Sequence, residues 1–543
     1  MKRYIEHPEV RSFDVIVVGG GISGACVAYE AASRGLRVAL FEKSDFGGAT
    51  SAATSKLIHG GLRYLSYFEL GLVRESLRER RILEDIAPNF VYPLPFLIPA
   101  YPGISSNRWV LKLGMILYDM LSLDKGYTRD RSKKLPHHHS LSREEVVKIA
   151  PILDNAKLKG GHVYYDCQSL FPERLTLAFI KSAVACGARV SNYAEVKEFV
   201  HGTDGQIAGV VAQDRLTGKS TVVRGSLVIN SGGPWAGKLL DAAAGKQSEH
   251  GIRMSEGIHI LVPPITKDHA LVLQTPAKRH FFAIPWRGKS LIGTTDKEYK
   301  GNPDEYRVSR ASIEEFLTEI NATFGKEVVR YKDIIHVYGG LRPLTDTHTE
   351  STYSSSRRYE IFDGAEEGMA GLITVEGGKY TTSRNLAESV MKVAEKHLEC
   401  SLPASRTRLR PLYGSEMKDL DVFMRGAIQN NPDFTAGTIT YLVHSYGTDY
   451  TRVLDIARET PALASPKNPD GEILAEVVFA IREEMAVTLL DIVTRRTAFA
   501  TMGLPEDGLL REIASVAAKE LKWSQEKSAA ELELVQRRLA IPT

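Results

Sequence analysis

The pattern of apolar residues at the start of the chain predicts a strand, a helix and a second strand in direct succession. Residues 14–18 form an apolar, mostly β-branched run, and residues 36–41 form another that ends at Glu42. The stretch between them is rich in small residues and favours a helix. The turn into this helix carries three glycines, Gly19, Gly21 and Gly24. Together these features predict the βαβ start of an α/β domain.

Further along, helical and extended patterns alternate. Helical periodicity covers residues 67–86 and, as an amphipathic stripe, residues 108–123. The proline-rich residues 88–102 between them must be extended or turning. Strand-like runs follow at 194–200, 207–213, 226–231 and in the block 257–296. From about residue 405 onward the pattern is helical.

These patterns predict an α/β fold in which a Rossmann-like nucleotide-binding domain is interleaved with an antiparallel-sheet substrate domain, followed by an all-helical C-terminal domain. The expected boundaries are 1–100, 160–250 and 340–400 for the nucleotide-binding domain, 101–159 and 251–339 for the substrate-binding or cap domain, and 405–543 for the helical domain.

Composition narrows the class of protein. The 543 residues are enough for two or three domains, and the net charge of +3 gives no sign of a nucleic-acid partner. The four cysteines are scattered and form no C-x-x-C pair, which suits a reducing compartment and argues against a zinc site. The charged residues 1–13 lack the apolar core of a signal peptide, and no apolar run is long enough to span a bilayer. We expect a cytoplasmic protein, or one peripheral on the cytoplasmic membrane face.

The glycine triplet and Glu42 indicate a dinucleotide site. The glycines permit a tight strand-to-helix turn and close approach of the backbone to a pyrophosphate, whose charge the helix N-terminus favours. Glu42 lies where a carboxylate accepts hydrogen bonds from ribose hydroxyls.

The rest of the chain favours FAD over NAD as the dinucleotide. A single strand-linked G-x-G-x-x-G is present, whereas a flavoenzyme that uses NAD(P)H normally needs a second one. The glycine turns at 232–233, 339–340 and 377–378 lack the third glycine and the pattern that follows it. The Thr/Ser-rich loop after Glu42 also suits a second phosphate and the ribityl chain. The sequence therefore predicts a flavin reduced directly by the substrate.

The chain resembles the FAD-dependent glycerol-3-phosphate dehydrogenases over nearly its whole length. The motifs that carry the resemblance stand in the family's order: the Gly19/Gly21/Gly24 fingerprint, SKLIHGGLRYL at 55–65, NSGGPW at 230–235, SEGIHILV at 255–262, IPWR at 284–287, IGTTD at 292–296, GGLRPL at 339–344 and TVEGGKYTTSR at 374–384. The resemblance implies oxidation of sn-glycerol 3-phosphate to dihydroxyacetone phosphate, with hydride transfer to flavin N5. Fingerprint and resemblance together imply these FAD contacts: Gly19, Gly21, Ile22, Ser23, Gly24, Glu42, Lys43, Thr50, Ser51, Ser55, Lys56, Leu57, His59, Val196, Gly232, Gly378, Lys379 and Thr381.

Three cations beside glycine turns are candidates for binding a phosphorylated alcohol. Oxidising a secondary alcohol requires an anchor for the substrate anion and positive charge near the developing alkoxide. Arg63 follows Gly60-Gly61, Arg342 follows Gly339-Gly340 and Lys379 follows Gly377-Gly378. We expect Arg63, with Tyr64, to contact the phosphate, and Arg342 and Lys379 to contact substrate oxygens beside the flavin.

His59 and His259 are the candidates for the base that takes the hydroxyl proton, because histidine titrates in the useful range. Which of the two is the base stays open, as does the choice between a capping and a catalytic role for Asp296. His137-His138-His139 is read as a polar loop, and no metal site is expected.

Members of the family mostly deliver electrons to membrane quinone, so the resemblance implies a quinone acceptor and peripheral membrane association. The 108–123 helix is amphipathic enough for a membrane interface, although its pattern equally fits a core helix. A homodimer is also left open. Two alternatives stand beside the dehydrogenase: an oxidase of the same fold that releases peroxide, and a non-catalytic flavin-binding redox sensor. Oxidases of the family carry an insertion for which the intervals from Asp296 to Arg342 and on to Lys379 leave no room, and a sensor would have no need of the cations and histidines.

Overall fold

The computed structural model describes residues 1–103, 107–246, 252–344 and 358–543. Its strands, in chain order, are β1 (Ser12–Val18), β2 (Val38–Phe41), β3 (Leu57–Ile58), β4 (Val91–Pro99), β5 (His139–Leu141), β6 (Gly161–Ser169), β7 (Arg189–Ser191), β8 (Ala194–His201), β9 (Ile207–Asp214), β10 (Ser220–Asn230), β11 (Arg253–Val262), β12 (Ala270–Gln274), β13 (His280–Trp286), β14 (Lys289–Gly293), β15 (Lys297–Tyr299), β16 (His336–Leu344), β17 (Tyr359–Asp363) and β18 (Leu372–Gly377).

The helices are α1 (Ile22–Ser33), α2 (Leu70–Ile86), α3 (Arg108–Leu121), α4 (Arg143–Ile149), α5 (Pro172–Ala185), α6 (Ala236–Ala244), α7 (Arg310–Phe324), α8 (Ser383–His397), α9 (Leu420–Gln429), α10 (Ala436–Tyr446), α11 (Tyr450–Glu459), α12 (Ala475–Glu484), α13 (Leu489–Asp491), α14 (Asp507–Leu521) and α15 (Gln525–Leu539). Two shorter turns matter below: a 3-10 turn at Leu62–Tyr67 and a π-helical turn at Ile492–Arg496.

The first sheet has the order β17-β18-β10-β1-β2-β7, and the hairpin β8–β9 extends it beside β10. The strands β18, β10, β1, β2 and β7 run parallel, and β17 is antiparallel to β18. In such a sheet ligands bind at the carboxyl ends of the strands. The expected βαβ start is present as β1–α1–β2, and the strands expected at 194–200 and 207–213 are β8 and β9.

Both faces of the first sheet are covered, which explains why its central strands are apolar throughout. Helices α1, α5 and α8 pack together on one face, where Val15 and Val17 of β1 enter the core. On the other face Ile16 and Val18 pack against the β8–β9 hairpin and α6. A parallel sheet buried on both sides reads as a continuous apolar run.

The second sheet has the order β15-β11-β14-β13-β12-β4-β6-β3, with β16 beside β11 and β5 beside β6. Its pairs are antiparallel except for the short parallel contact of β12 with β4. Helix α7 covers one face, and α2 with α3 covers the other. This sheet corresponds to the expected substrate domain.

The chain enters the second sheet earlier than the expected boundaries allow. Strands β3 and β4 fall within residues 1–100, and β6 falls within 160–250, yet all three belong to the second sheet. The prolines of the 88–102 stretch hid β4, because proline is normally excluded from ladders. Pro93, Pro95 and Pro99 occupy alternate positions, so their missing N–H groups fall on one edge, while β6 pairs along the whole strand. The expected boundary near residue 250 lies outside the described residues.

Beyond residue 405 the described chain is helical, as the sequence predicts. One core gathers α9, α10 and α11 with part of α12, and a second gathers α12, α13, α14 and α15. The amphipathic stretch near 108–123 is also a helix, α3. No helix among the described residues is both long and apolar enough to cross a lipid bilayer.

Candidate active site

A cavity of about 2060 Å³ lies at the carboxyl ends of β1, β2 and β10 and reaches across to the second sheet. Ordinary small-molecule pockets measure roughly 300–1,000 Å³, so this cavity is large enough for a dinucleotide together with a substrate. It is lined by all of the site residues expected from sequence except Gly24 and Lys56.

The three fingerprint glycines have different reasons to be glycine. Gly19 has φ of +106°, and a Cβ there would lie 2.5 Å from the carbonyl oxygen of Ser231. A Cβ at Gly24 would lie 1.9 Å from the Gly19 carbonyl oxygen, so this glycine lets α1 pack on the turn and stays behind the cavity wall. A Cβ at Gly21 would meet Ser51 Oγ at 3.2 Å as its nearest neighbour and would project into the cavity. The absence of a side chain at Gly21 therefore leaves the backbone open to the cavity, as close approach of a pyrophosphate requires.

Glu42 sits at the end of β2 with its carboxylate in the cavity wall. The backbone N–H of Gly20 donates to Glu42 Oε2 at 2.7 Å, and the N–H of Ser44 donates to Oε1 at 2.8 Å. The Ser44 hydroxyl also donates to Oε1, at 2.9 Å. Because a carboxylate accepts about four hydrogen bonds, capacity remains for about one ribose hydroxyl. The loop after Glu42 returns to the fingerprint, where Ser51 Oγ accepts a hydrogen bond from the Ile22 N–H at 2.9 Å.

Lys56 differs from expectation. Its ammonium is buried in an ion pair with Glu173 and lies 5.3 Å from the ring centroids of Trp286 and Tyr338. Unlike the other expected cations, Lys56 does not line the cavity, because its ammonium is taken up by this buried ion pair. Lys56 was expected at the site because it belongs to the family motif at 55–65. Its partner Glu173 lies on α5, far along the chain, so the sequence near Lys56 gives no sign of the ion pair.

Two of the expected cations meet at Tyr64. Arg63 donates to Tyr64 Oη at 3.0 Å, and its guanidinium carbon lies 4.8 Å from the ring centroid. Lys379 Nζ lies 3.9 Å from the same centroid and donates to Ser76 Oγ at 3.3 Å. A Cβ at Gly61 would come within 3.3 Å of Lys379 Nζ, so the glycine turn makes room for this cluster. Arg63, Tyr64 and Lys379 thus form one positive corner of the cavity.

Arg342 on β16 forms a second positive group. Its guanidinium donates to the Thr295 carbonyl oxygen at 3.1 and 3.2 Å and to Thr294 Oγ1. Asp296 lies 3.8 Å away, and its carboxylate accepts from Ser255 Oγ at 2.6 Å. The guanidinium crosses the backbone of β11, where a Cβ at Gly257 would lie 1.6 Å from Arg342 Nη2.

His59 is fixed as a hydrogen-bond donor toward the cavity. The backbone N–H of Gly61 donates to His59 Nδ1 at 3.1 Å, so the neutral ring carries its proton on Nε2. Burial lowers the pKa of His59 to about 4; the nearby Asp166 acts against this shift, and Lys379 and Arg63 reinforce it. The ring is therefore neutral at physiological pH.

His259 lies in the middle of β11, 1% exposed, stacked on Tyr338 with ring centroids 5.1 Å apart. Its Nε2 lies 2.9 Å from Ser55 Oγ, and its Nδ1 has no hydrogen-bond partner among the described protein atoms. Burial, with Arg342 and Lys56 acting in the same direction, holds its pKa well below the ordinary value. His259 is thus a neutral ring whose Nε2 faces Ser55 and whose Nδ1 is buried.

Sequence reasoning missed other residues at this site. His280 and Phe282 on β13 line the same cavity, and burial lowers the pKa of His280 to about 4. Behind the Gly60–Gly61 turn, Asp166 accepts hydrogen bonds from Arg80 at 2.5 Å and from Tyr118 Oη at 2.6 Å. These residues lie on separate elements with no local motif, so only the folded chain brings them together.

The described residues contain no group of three or more His, Cys, Asp or Glu arranged to hold a metal ion. His137 and His138, from the histidine run, lie against Asp119 at 3.2 and 2.8 Å.

Comparison with known proteins agrees with this geometry. Residues 14–384 match the family model "FAD dependent oxidoreductase", and residues 405–528 match "C-terminal domain of alpha-glycerophosphate oxidase". A glycerol-3-phosphate dehydrogenase of Synechocystis is 37% identical over 97% of this chain and 96% of its own. A D-erythritol 1-phosphate dehydrogenase of Brucella abortus is 34% identical over 90% of this chain and 95% of its own.

Among solved structures, glycerol-3-phosphate dehydrogenase of Bacillus halodurans in complex with FAD superposes with a TM-score of 0.77 at 27% identity, covering 98% of this chain and 95% of that one. The predicted fold class and the predicted cofactor, FAD, are confirmed. The chain belongs to the FAD-dependent glycerol-3-phosphate dehydrogenase and oxidase family.

Proposed function

We propose that the protein oxidises sn-glycerol 3-phosphate to dihydroxyacetone phosphate and passes the electrons to a membrane quinone. The observation that carries the proposal is the convergence of Arg63, Lys379 and Arg342 with His59 and His259 on one cavity beside a dinucleotide fingerprint. FAD, when bound, supplies a hydride acceptor in that cavity. The glycine turn and Glu42 would hold its pyrophosphate and ribose.

The two positive groups divide the binding of the substrate. Arg63 and Lys379, both at the Tyr64 ring, form the phosphate anchor, since arginine and lysine donate charge-assisted hydrogen bonds to phosphate oxygens. Arg342, fixed by Thr294 and Thr295 from the neighbouring turn, stabilises the negative charge that develops on the reacting oxygen. Lys379 thereby contacts the phosphate end of the substrate.

The hydrogen bonds of His59 and His259 assign different roles to the two histidines. His59 presents its Nε2 proton to the cavity and acts as a donor. When His259 Nε2 accepts from Ser55 Oγ, the hydroxyl proton of the substrate can pass to Ser55 Oγ as Ser55 passes its own proton to His259 Nε2, so His259 takes up the proton through Ser55. Its low pKa keeps it in the basic form before substrate binds. We therefore assign the base to His259.

Anaerobic titration of the FAD-loaded protein tests the substrate. We expect sn-glycerol 3-phosphate to bleach the oxidised-flavin absorbance band, and glycerol to leave it unchanged because it lacks the phosphate. D-erythritol 1-phosphate, named for one relative, is the informative competitor. Absence of bleaching with glycerol 3-phosphate, or a better response to the erythritol ester, would overturn the substrate assignment.

Matched variants separate the assigned roles. Loss of an anchor contact in Arg63→Ala should chiefly raise KM, by roughly 10–150-fold for a charged hydrogen bond of about 1.5–3 kcal/mol. Arg342→Ala should instead lower kcat, because that contact strengthens in the transition state. His259→Gln should lower the rate of flavin reduction more than His59→Gln does. The reverse order would move the base to His59.

The acceptor assignment rests on an apolar surface beside the mouth of the cavity. On α3, Trp109 is 73% exposed and Leu113 is 69% exposed, and Phe68, which follows the 3-10 turn Leu62–Tyr67, is 86% exposed. Arg108 and Lys112 flank these side chains. Val110, Leu113 and Phe68 also line the cavity, so the apolar surface continues into the site. A helix with an exposed apolar face and flanking cations suits the interface of an anionic membrane.

Flotation with vesicles of phosphatidylcholine and phosphatidylglycerol tests this surface. The wild-type protein should float with the vesicles, and Trp109→Ser/Leu113→Ser should not. Val422→Ser on α9, which removes a side chain 56% exposed, is the matched control and should float. Loss of flotation in the control as well, or none in the double variant, would contradict a membrane role for α3.

Assays in air separate dehydrogenase from oxidase. A quinone-linked dehydrogenase should reduce a soluble quinone analogue rapidly and form little peroxide. Stoichiometric peroxide with each turnover would instead favour the oxidase, after which the matched C-terminal family model is named.

A further inference from the structure

The C-terminal helical domain meets the first sheet through a buried cluster of charges at Asp45. This side chain is 1% exposed and lies three residues after Glu42. Arg495 Nε donates to Asp45 Oδ2 at 2.7 Å, and Arg496 donates to both carboxylate oxygens at 2.8 and 2.6 Å. Asn192 donates to Oδ1 at 3.0 Å. The ion pairs join residues at opposite ends of the chain.

The π-helical turn at Ile492–Arg496 presents two successive arginines to one carboxylate. Adjacent side chains of a regular α-helix point about 100° apart. Here the side chains of two adjacent arginines reach the same carboxylate, and π turns of this kind are rare and recur at functional sites. Arg495 also donates to Asp491 Oδ1 at 2.6 Å, and Arg496 Nε donates to the Glu484 carbonyl oxygen at 2.9 Å. Two carboxylates and two guanidiniums therefore balance in charge, and both arginines are held in place by their own domain.

Asp45 belongs to the loop that frames the dinucleotide part of the cavity. Residues 42–44, 48–51 and 53–55 of this loop line the cavity. Next to Asp45, the N–H of Gly47 donates to the Gly20 carbonyl oxygen at 2.9 Å, and the Gly48 N–H donates to the Asp45 carbonyl oxygen at 3.0 Å. Phe46 packs under Gly20, where a Cβ would lie 2.7 Å from its ring. The loop and the fingerprint turn thus share their backbone contacts around Asp45.

The interface of the C-terminal domain includes two sets of ion pairs, one to α5 and one to the loop after Glu42. Arg174 on α5 forms a bidentate ion pair with Glu484 at 2.8 Å, and Lys181 reaches Glu484 and Asp449. These pairs already fasten the helical domain to α5. Arg495 and Arg496 instead reach the cofactor loop, which the fastening to α5 does not require.

We propose that the C-terminal domain takes part in FAD binding without touching FAD: Arg495 and Arg496 act through Asp45 as positioning residues for the loop 44–51. This inference rests on the proposed position of FAD against Glu42 and that loop. The arginines fix the loop in its binding form before the cofactor arrives. FAD binding then costs less conformational entropy, because the loop is already ordered. By reciprocity, bound FAD should stabilise the contact between the loop and the C-terminal domain.

FAD titration of the full-length apoprotein tests the proposal, with Asp45→Asn compared against Glu484→Gln. Both changes remove one buried carboxylate from the same interface, and both should lower the thermal unfolding midpoint. Only Asp45→Asn should weaken FAD, by roughly tenfold within the usual 5–150-fold range of coupling between sites. The Kd is read from flavin fluorescence quenching below the unfolding temperature of every variant. Glu484→Gln should stay within about twofold of wild type on the same scale.

The outcomes are distinct. If the wild-type apoprotein fails to bind FAD, the proposed function fails rather than this inference. If Asp45→Asn binds FAD like wild type, or if both variants weaken it equally, the positioning role is overturned and the cluster is only structural. Should Asp45→Asn fail to fold, Arg496→Lys decides: it keeps the charge and loses part of the two-pronged contact, and should raise the Kd by about fivefold. An unchanged Kd in that variant overturns the proposal.

Discussion

Replacing Gly257 by alanine should disable Arg342 without removing it. Gly257 lies on β11 opposite Gly340 of β16, directly beneath the Arg342 guanidinium. The new Cβ would lie 1.6 Å from Arg342 Nη2 and 2.3 Å from its Cζ. Because Gly257 is not at a positive φ, alanine fits the backbone and the strain falls on the arginine.

The size of the effect follows from this geometry. Ordinary contact with a Cβ begins at 3.4 Å, so the guanidinium must retreat by about 2 Å. A displacement of about 1 Å in a catalytic group costs roughly 100-fold in rate. We expect Gly257→Ala to slow flavin reduction by at least about 100-fold, which corresponds to about 2.7 kcal/mol in the barrier. FAD binding should be unchanged, because Gly257 lies apart from the fingerprint turn.

Anaerobic rapid mixing with glycerol 3-phosphate measures the rate of flavin reduction directly. Gly71→Ala on α2, where a Cβ has no heavy atom within 4 Å among the described residues, controls for the substitution itself. The double variant Gly257→Ala/Arg342→Ala supplies the decisive comparison. If alanine acts by displacing Arg342, the double variant should be no slower than Arg342→Ala alone.

Two results would refute this reasoning. A near-wild-type rate for Gly257→Ala would mean that the arginine is not needed where it lies. A double variant much slower than Arg342→Ala would mean that the methyl group acts elsewhere, for example through Thr294, whose Oγ1 would lie 2.8 Å from the new Cβ.

Other substitutions test the surrounding structure. Gly24→Ala should destabilise the folded apoprotein by about 1–3 kcal/mol through overpacking, whereas Gly21→Ala should leave the thermal midpoint unchanged and weaken FAD; equal behaviour of the two would contradict their separate roles. Glu173→Gln leaves the buried Lys56 ammonium unpaired and should cost about 3–5 kcal/mol in urea unfolding, largely recovered by adding Lys56→Met; no recovery would show that packing dominates. Burial lowers the pKa of His336 to about 4, so the unfolded chain binds its proton first and stability falls as pH drops from about 6.5 toward 4. Relative to His336→Asn, the wild type should lose about 2 kcal/mol more over that window in urea titrations, and parallel pH curves would exclude this contribution.

The sequence predicted the parts of the fold whose signals are local. The β1–α1–β2 unit follows from apolar runs and glycine spacing, and α3 follows from its amphipathic stripe. Strand β4 was not predicted, because proline lacks the N–H group that pairs strands. Its pairing with β6 shows that the proline positions, where the N–H groups are missing, all face one edge of the strand. The domain boundaries also shifted because β3 and β6 pair with the second sheet, and this pairing between distant segments leaves no local signal.

At the candidate site, too, the sequence predicted the residues that lie in local motifs but not the contacts between distant elements. Motifs identified Arg63, Arg342 and Lys379, but not which of them meet. The grouping of Lys379 with Arg63 at Tyr64 arises from contacts between distant elements. Lys56 turned inward because Glu173 on α5 offers a buried partner, which no local pattern reveals. The pairing of Asp45 with Arg495 and Arg496 likewise depends on the finished fold.

The interleaving of the two sheets governs when the site can form during synthesis. Strand β1 leaves the ribosome early, but its neighbour β10 and the next strand β18 are made much later, and the two sheets take their strands from alternating stretches of the chain. The growing chain must therefore hold its apolar β1–α1–β2 unit without its final partners. Such long-range pairing makes folding slow and exposes apolar strands to aggregation. The proposed FAD site draws on residues from Gly19 to Thr381 and on a loop fastened from residue 496, so FAD should join only a nearly complete polypeptide, and cofactor supply should act on the finished chain rather than guide its early folding.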